Sequence, residues 1–136
     1  MKLLKFILIL FTLNLQTSSD ALTWIDDDEF EDTVSGVSAF GDDDDGIIIV
    51  EFWADFNKDN SFDEWNKLTG VKYYRIDIAN APVSKKKYRV RMTPTLIVFK
   101  NGEKQAIFKA GLDLLLPANL QEIQETINEI NKENKF

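Results

Sequence analysis

The chain contains no cysteine and no histidine among its 136 residues. Without a thiol there is no nucleophile for disulfide exchange and no ligand for an iron–sulfur cluster. Without an imidazole, Ser-His-Asp and Cys-His arrangements cannot be assembled. Zinc would find only carboxylates, a poor donor set for it, so neither a metal nor a cofactor is expected. Positive charge is also scarce. Sixteen Lys and Arg stand against 23 Asp and Glu, a formal charge of −7. Nucleic acid, held largely through its phosphates, is therefore not an expected partner. Long apolar runs are missing too. The longest, Phe6 to Leu15, is about ten residues, whereas a membrane-spanning helix needs about 20.

That run has the marks of a targeting signal. Lys2 and Lys5 precede it, and the small residues Thr17-Ser18-Ser19 follow it as a cleavage region. The expectation is an exported protein, periplasmic or secreted, with no stable membrane insertion once residues 1–19 are removed. Losing Lys2 and Lys5 would take the formal charge from −7 to −9. The remaining length is that of one domain, able to bury a core without disulfides.

Residues 20–46 are polar and acidic, with a strand expected at Leu22 to Ile25. Asp26-Asp27-Asp28 can then open a short helix through Phe30 and Val34. Ser35 to Gly46 reads as a loop broken by glycines. Ile47 to Trp53 is apolar except for Glu51, the pattern of a strand buried on both faces. Ser61 and Glu64 have capping-box spacing, which predicts a helix through Phe62, Trp65 and Leu68, ended by Gly70. Val71 to Ile78 reads as a second buried strand. Pro82 suits a first helical turn, with Val83 to Tyr88 a short helix. Thr95 to Lys100 and Lys104 to Lys109 are strands joined by Asn101-Gly102, a strong hairpin signal. Leu120, Ile123, Ile127 and Ile130 recur at helical spacing. Residues 47–131 form the core of the domain and 132–136 a tail.

The order β-α-β-α-β-α-β-β-α, with these residues, resembles the thioredoxin family over about residues 22–131. Leu22 to Phe30 matches its opening strand and helix start. Phe52-Trp53-Ala54 matches the strand end before its redox motif. Tyr88 to Thr95 matches its Tyr-x-Val-x-x-x-Pro-Thr segment, and Val98 to Glu103 its hairpin. The resemblance implies an α/β thioredoxin fold: a single domain with a central mixed β-sheet flanked by helices. The family's two cysteines fall on Asn57 and Asn60, so disulfide oxidoreductase activity is not expected.

The resemblance also marks site residues. Asn57-Lys58-Asp59-Asn60 either cap and decorate a helix or form a polar recognition loop. Pro94 is cis in the family, and the preceding residue, here Thr93, offers backbone hydrogen bonds to an extended peptide. Pro94 could equally serve only to shape the turn. Glu51 occupies the position of a buried acid that moves protons during thiol exchange. Without thiols that role is void, and a structural contact with Tyr73 and a raised carboxyl pKa are expected.

Gly111 to Pro117 carries four leucines. They either pack under the last helix or form an exposed patch beside Trp53 and Pro94. Lys85-Lys86-Lys87, with Arg89 and Arg91, is either a solvated face or a surface for an acidic partner. Asp42 to Asp45 fails as a calcium loop, since aligning Gly46 with the invariant glycine puts Gly41 where an acid is required. The expected function is a redox-inactive binding protein that holds a peptide or partner protein in the former substrate groove. Asn57, Lys58, Asp59, Asn60, Thr93 and Pro94 would form its polar edge, with Trp53, Leu112 and Leu114 as its apolar wall. The alternatives are a structural or assembly subunit that uses another surface, or a degenerate member of a redox pathway.

Overall fold

A computed structural model describes residues 21–36 and 46–133. The expected targeting segment 1–19, the acidic run 42–45 and the last three residues lie outside the described residues.

Five strands make one sheet: β1 (Thr23–Ile25), β2 (Ile47–Trp53), β3 (Val71–Asp77), β4 (Thr95–Lys100) and β5 (Glu103–Lys109). Their order is β1-β3-β2-β4-β5. The first three strands are parallel, and β4 and β5 run antiparallel to their neighbours. β2 lies in the centre and is buried along its length apart from Trp53. A strand with both faces covered needs apolar residues at every position, and Ile47 to Phe52 supply them with one exception, Glu51.

Alternation along β2 divides the core in two. Ile48, Val50 and Phe52 face α1 (Phe30–Ser35) and Ala81, Tyr88 and Val90, which flank α2 (Pro82–Lys87). Ile47 and Ile49 face α3 (Leu120–Glu133) through Ile123, Ile127 and Ile130. Local chemistry holds the helix ends. The Asn119 side chain accepts the Glu122 N–H at 2.9 Å and caps α3. Pro82 opens α2, and Asp27 accepts the N–H groups of Val83 and Ser84 at 2.8 Å each, tying α1 to α2. Asn101 and Gly102, with φ of 53° and 80°, make the β4–β5 turn. No helix among the described residues is long and apolar enough to cross a membrane.

One expected element differs. The capping box at Ser61 does not form, and no α-helix follows β2. Two 3₁₀ turns take its place, Asp55–Asn60 and Asp63–Lys67. Ser61 closes the first, its hydroxyl donating to the Lys58 carbonyl at 2.6 Å. The cause is tertiary. The backbone of Phe62 is held to the sheet, its N–H donating to Glu51 and its carbonyl accepting from Arg75, both at 3.3 Å. A residue anchored at both groups in extended geometry interrupts the helix that its neighbours would otherwise make.

Candidate functional site

Beyond the C-terminal end of β2 the chain turns through Asp55–Asn60, and this turn meets two loops. Asn57 is buried, and its amide nitrogen donates to the Thr93 carbonyl at 2.7 Å and to the Leu114 carbonyl at 3.1 Å. The Asn60 amide donates back to the Asn57 oxygen at 2.7 Å. The two asparagines thus form a chain of amide hydrogen bonds that clamps three segments together. Each bond is of ordinary strength, but burial makes losing a partner costly.

The third segment has its own supports. Leu114 sits at φ 62°, its N–H donating to the Gly111 carbonyl at 2.9 Å. Asp113 accepts the Leu115 N–H, and Gly111 donates to the Leu115 carbonyl. A positive φ is uncommon outside glycine, and here it turns the Leu114 carbonyl onto Asn57. The Thr93–Pro94 peptide bond is cis, and the Pro94 carbonyl accepts from Ala110 at 3.0 Å.

The clamp rearranges the expected groove. Asn57, Thr93 and Pro94, read from sequence as its polar edge, are all buried. The Thr93 carbonyl, which would pair with an extended peptide, already accepts from Asn57. The Thr93 hydroxyl oxygen is buried and has no hydrogen-bond partner. Trp53 is half-buried and meets Trp24 edge-on, with ring centroids 5.0 Å apart. Lys58 and Asp59 are exposed, and Asn60 and Leu114 are half-buried.

What the surface offers instead is apolar. Six large apolar side chains are exposed among the described residues: Trp24, Phe56, Val83, Ile107, Leu112 and Leu115. Three of these flank the clamp. Phe56 is 75% exposed, Leu112 90% and Leu115 50%. The leucine loop divides between its two expected fates, because Leu116 packs against the core beside α3. An open cleft of about 560 Å³ runs alongside, between Asn60–Glu64 and Leu115–Asn119. Phe56 escaped the sequence reading, whereas Leu115 was one of the four loop leucines it singled out. The only signal of Phe56 is apolar character inside the otherwise polar turn Asp55–Asn60.

Glu51 lies beneath and is 0% exposed. The Tyr73 hydroxyl donates to its Oε1 at 2.7 Å. Arg75 donates to the same oxygen through Nε at 3.0 Å and Nη2 at 2.8 Å. The Phe62 N–H occupies Oε2. Burial pushes the Glu51 carboxyl up, opposed by the Arg75 charge and the surrounding donors. Burial, with the nearby Glu51 charge, likewise pushes the Tyr73 hydroxyl well up. Arg75 was missed from sequence, although Glu51 and Arg75 are register partners across β2 and β3. The guanidinium also lies 5.6 Å from the Trp24 ring centroid. Both oxygens of this carboxylate accept from protein donors, so it ties β2, β3 and Phe62 together. No group of acids that could hold a metal occurs among the described residues.

A family model described as Thioredoxin matches residues 22–128. Among solved structures, the chain is similar to a thioredoxin from Malassezia sympodialis at 20% identity and a TM-score of 0.59. That match covers 84% of this chain and 94% of the other. It is similar to a variant thioredoxin from Halobacterium salinarum at 20% identity and a TM-score of 0.61, with the same coverage. A designed protein matches at 16% identity and a TM-score of 0.61, covering 82% of this chain and 98% of the other.

Proposed function

The chain belongs to the thioredoxin family, and from that premise we propose that it is a redox-inactive member that binds a partner protein at the former active-site end. Thiol–disulfide exchange needs a thiolate, and the chain has no cysteine. The observation that carries the proposal is the grouping of Phe56, Leu112 and Leu115 on the two segments that Asn57 ties together. Exposed apolar side chains of this size are costly to leave in water, and a rigid base lets a partner cover them without first ordering a loop. With the Thr93 carbonyl engaged, the partner is held through buried apolar area rather than through strand addition. The cleft beside Asn60 and Leu115 adds a concave edge with polar groups at its rim.

Export is proposed with it, supported by the apolar run and small residues of the first 19 positions. The partner would then meet the protein outside the cytoplasm.

A photoreactive residue at position 112 tests the proposal in the native host. A discrete protein should be trapped there and not from the exposed position 107. The double variant Phe56→Ser with Leu115→Ser should stay folded by circular dichroism and lose the adduct. Equal trapping from both positions, or an adduct indifferent to the two serines, would count against the rim. Insulin reduction should be absent throughout.

A further inference from the structure

We propose that a second surface, a basic cleft on the α2 side of the sheet, docks a short acidic segment of a partner polypeptide. The cleft is open and about 960 Å³ in volume. Ile78 and Pro82 contribute apolar surface, and Lys85, Lys86, Arg89 and Arg91 bring positive charge to it. A fifth cation, Lys87, is already paired with Glu31. The other four form no ion pair with any carboxylate among the described residues. A chain of formal charge −7 thus gathers, within seven residues of sequence, four cations that have no carboxylate partner among the described residues.

The backbone shows how they converge. α2 ends in a Schellman-type turn: the Arg89 N–H donates to the Lys86 carbonyl at 3.2 Å and the Val90 N–H to Lys85 at 2.9 Å. The residue at the left-handed position of such a turn is most often glycine. Here it is Arg89, at φ 56°. The reversal brings Arg89 and Arg91 back beside Lys85 and Lys86. A cation stands where the backbone favours glycine, and the same turn carries it into the cleft.

Charge also sets the length of the occupant. α1 lies against α2 through Asp27 and Glu31. The turn before α1, together with α1 itself, carries Asp26, Asp28, Glu29 and Asp32. A long polyanion leaving the cleft would meet this acidic surface and be repelled. A short segment with its carboxylates confined to the cleft would not. The apolar surface of Ile78 and Pro82 fits an aliphatic side chain between those carboxylates, which a bare phosphate chain cannot supply.

The test is fluorescence anisotropy with a labelled peptide, Asp-Asp-Leu-Asp-Asp, at low salt. Saturable one-to-one binding is expected, falling as salt is added. Replacing Arg89 by Gly and Arg91 by Ser should weaken it on the order of tenfold. The Arg89→Gly change should leave the melting temperature unchanged or raised, which separates lost binding from lost folding. Phe56→Ser with Leu115→Ser should leave peptide binding intact, so this site and the apolar rim fail independently. Absence of saturable binding would overturn the proposal. An equal loss from Lys104→Ser, on the distant edge strand, would overturn it as general charge attraction. Tighter binding of a single-stranded oligonucleotide would overturn it in favour of a nucleic-acid surface.

Discussion

Asn57, where the resemblance to the thioredoxin family places a cysteine, uses every polar group of its side chain. A cysteine offers one weak donor, whereas an amide offers two donors and an acceptor. Asn57 uses its amide nitrogen on Thr93 and Leu114 and its oxygen on Asn60. Glu51 is likewise engaged by its neighbours on both carboxylate oxygens. Burial raises its folded pKa above an ordinary value near 4.5. The folded state therefore holds this proton more tightly than the unfolded chain. Its contribution to stability is full below about pH 4.5 and is lost as pH rises through the folded value. Glu51→Gln keeps an acceptor for Tyr73 and Arg75 but cannot ionise. The stability of the native protein relative to this variant should therefore decline from pH 4.5 to 7, read from urea midpoints. A constant difference across that range would refute the burial account.

Among the elements, α2 depends most on a distant residue. It is a six-residue helix, too short to stand alone in water. Its first turn is capped by Asp27, which also accepts the Ser84 hydroxyl. Partial burial pushes the Asp27 carboxyl up, but Ser84 and the N–H groups of Val83 and Ser84 together hold it below its ordinary 3.8. A depressed carboxyl stabilises above its unfolded pKa and stops doing so as pH falls through the folded value. Asp27→Ala should cost about 1 kcal/mol at neutral pH, as cap removals do. The cost should shrink on acidification below pH 3.8, measured by chemical denaturation. A cost that persists in strong acid would assign the loss to packing instead. The segment after β2 is the converse case, where Phe62 bonds to Glu51 and Arg75 override a capping-box pattern.

Over the whole molecule, stability and recognition respond to salt in opposite senses. The formal charge of −7 works against compactness through self-repulsion. Added salt shortens the screening length from about 30 Å at 0.01 M to about 8 Å at 0.15 M. The melting temperature should rise over that interval while affinity for an acidic peptide falls. A melting temperature that drops would show that attractive pairs outweigh the repulsion. The apolar rim should be indifferent to both changes, since Phe56, Leu112 and Leu115 carry no charge. The two proposed surfaces differ in chemistry and are distinguishable in one salt series.

Much of the scaffold was legible because its signals are local. Alternation on the two faces of β2, the Asn101-Gly102 turn, Pro82 at a helix start and the isoleucine spacing of α3 each act over a few residues. The absence of cysteine by itself determined that no disulfide chemistry is possible. The pairings that define the site span longer distances: Glu51 to Arg75, Phe62 to Glu51 and Asn57 to Thr93. Hydrogen bonds are short and directional, so which polar groups end up buried and satisfied is decided only when the strands align. The sequence determined what this protein cannot do and the order of its elements. The tertiary structure decided that Asn57 would engage the Thr93 carbonyl, that a predicted helix would become two 3₁₀ turns, and that leucines of one loop would divide between core and solvent.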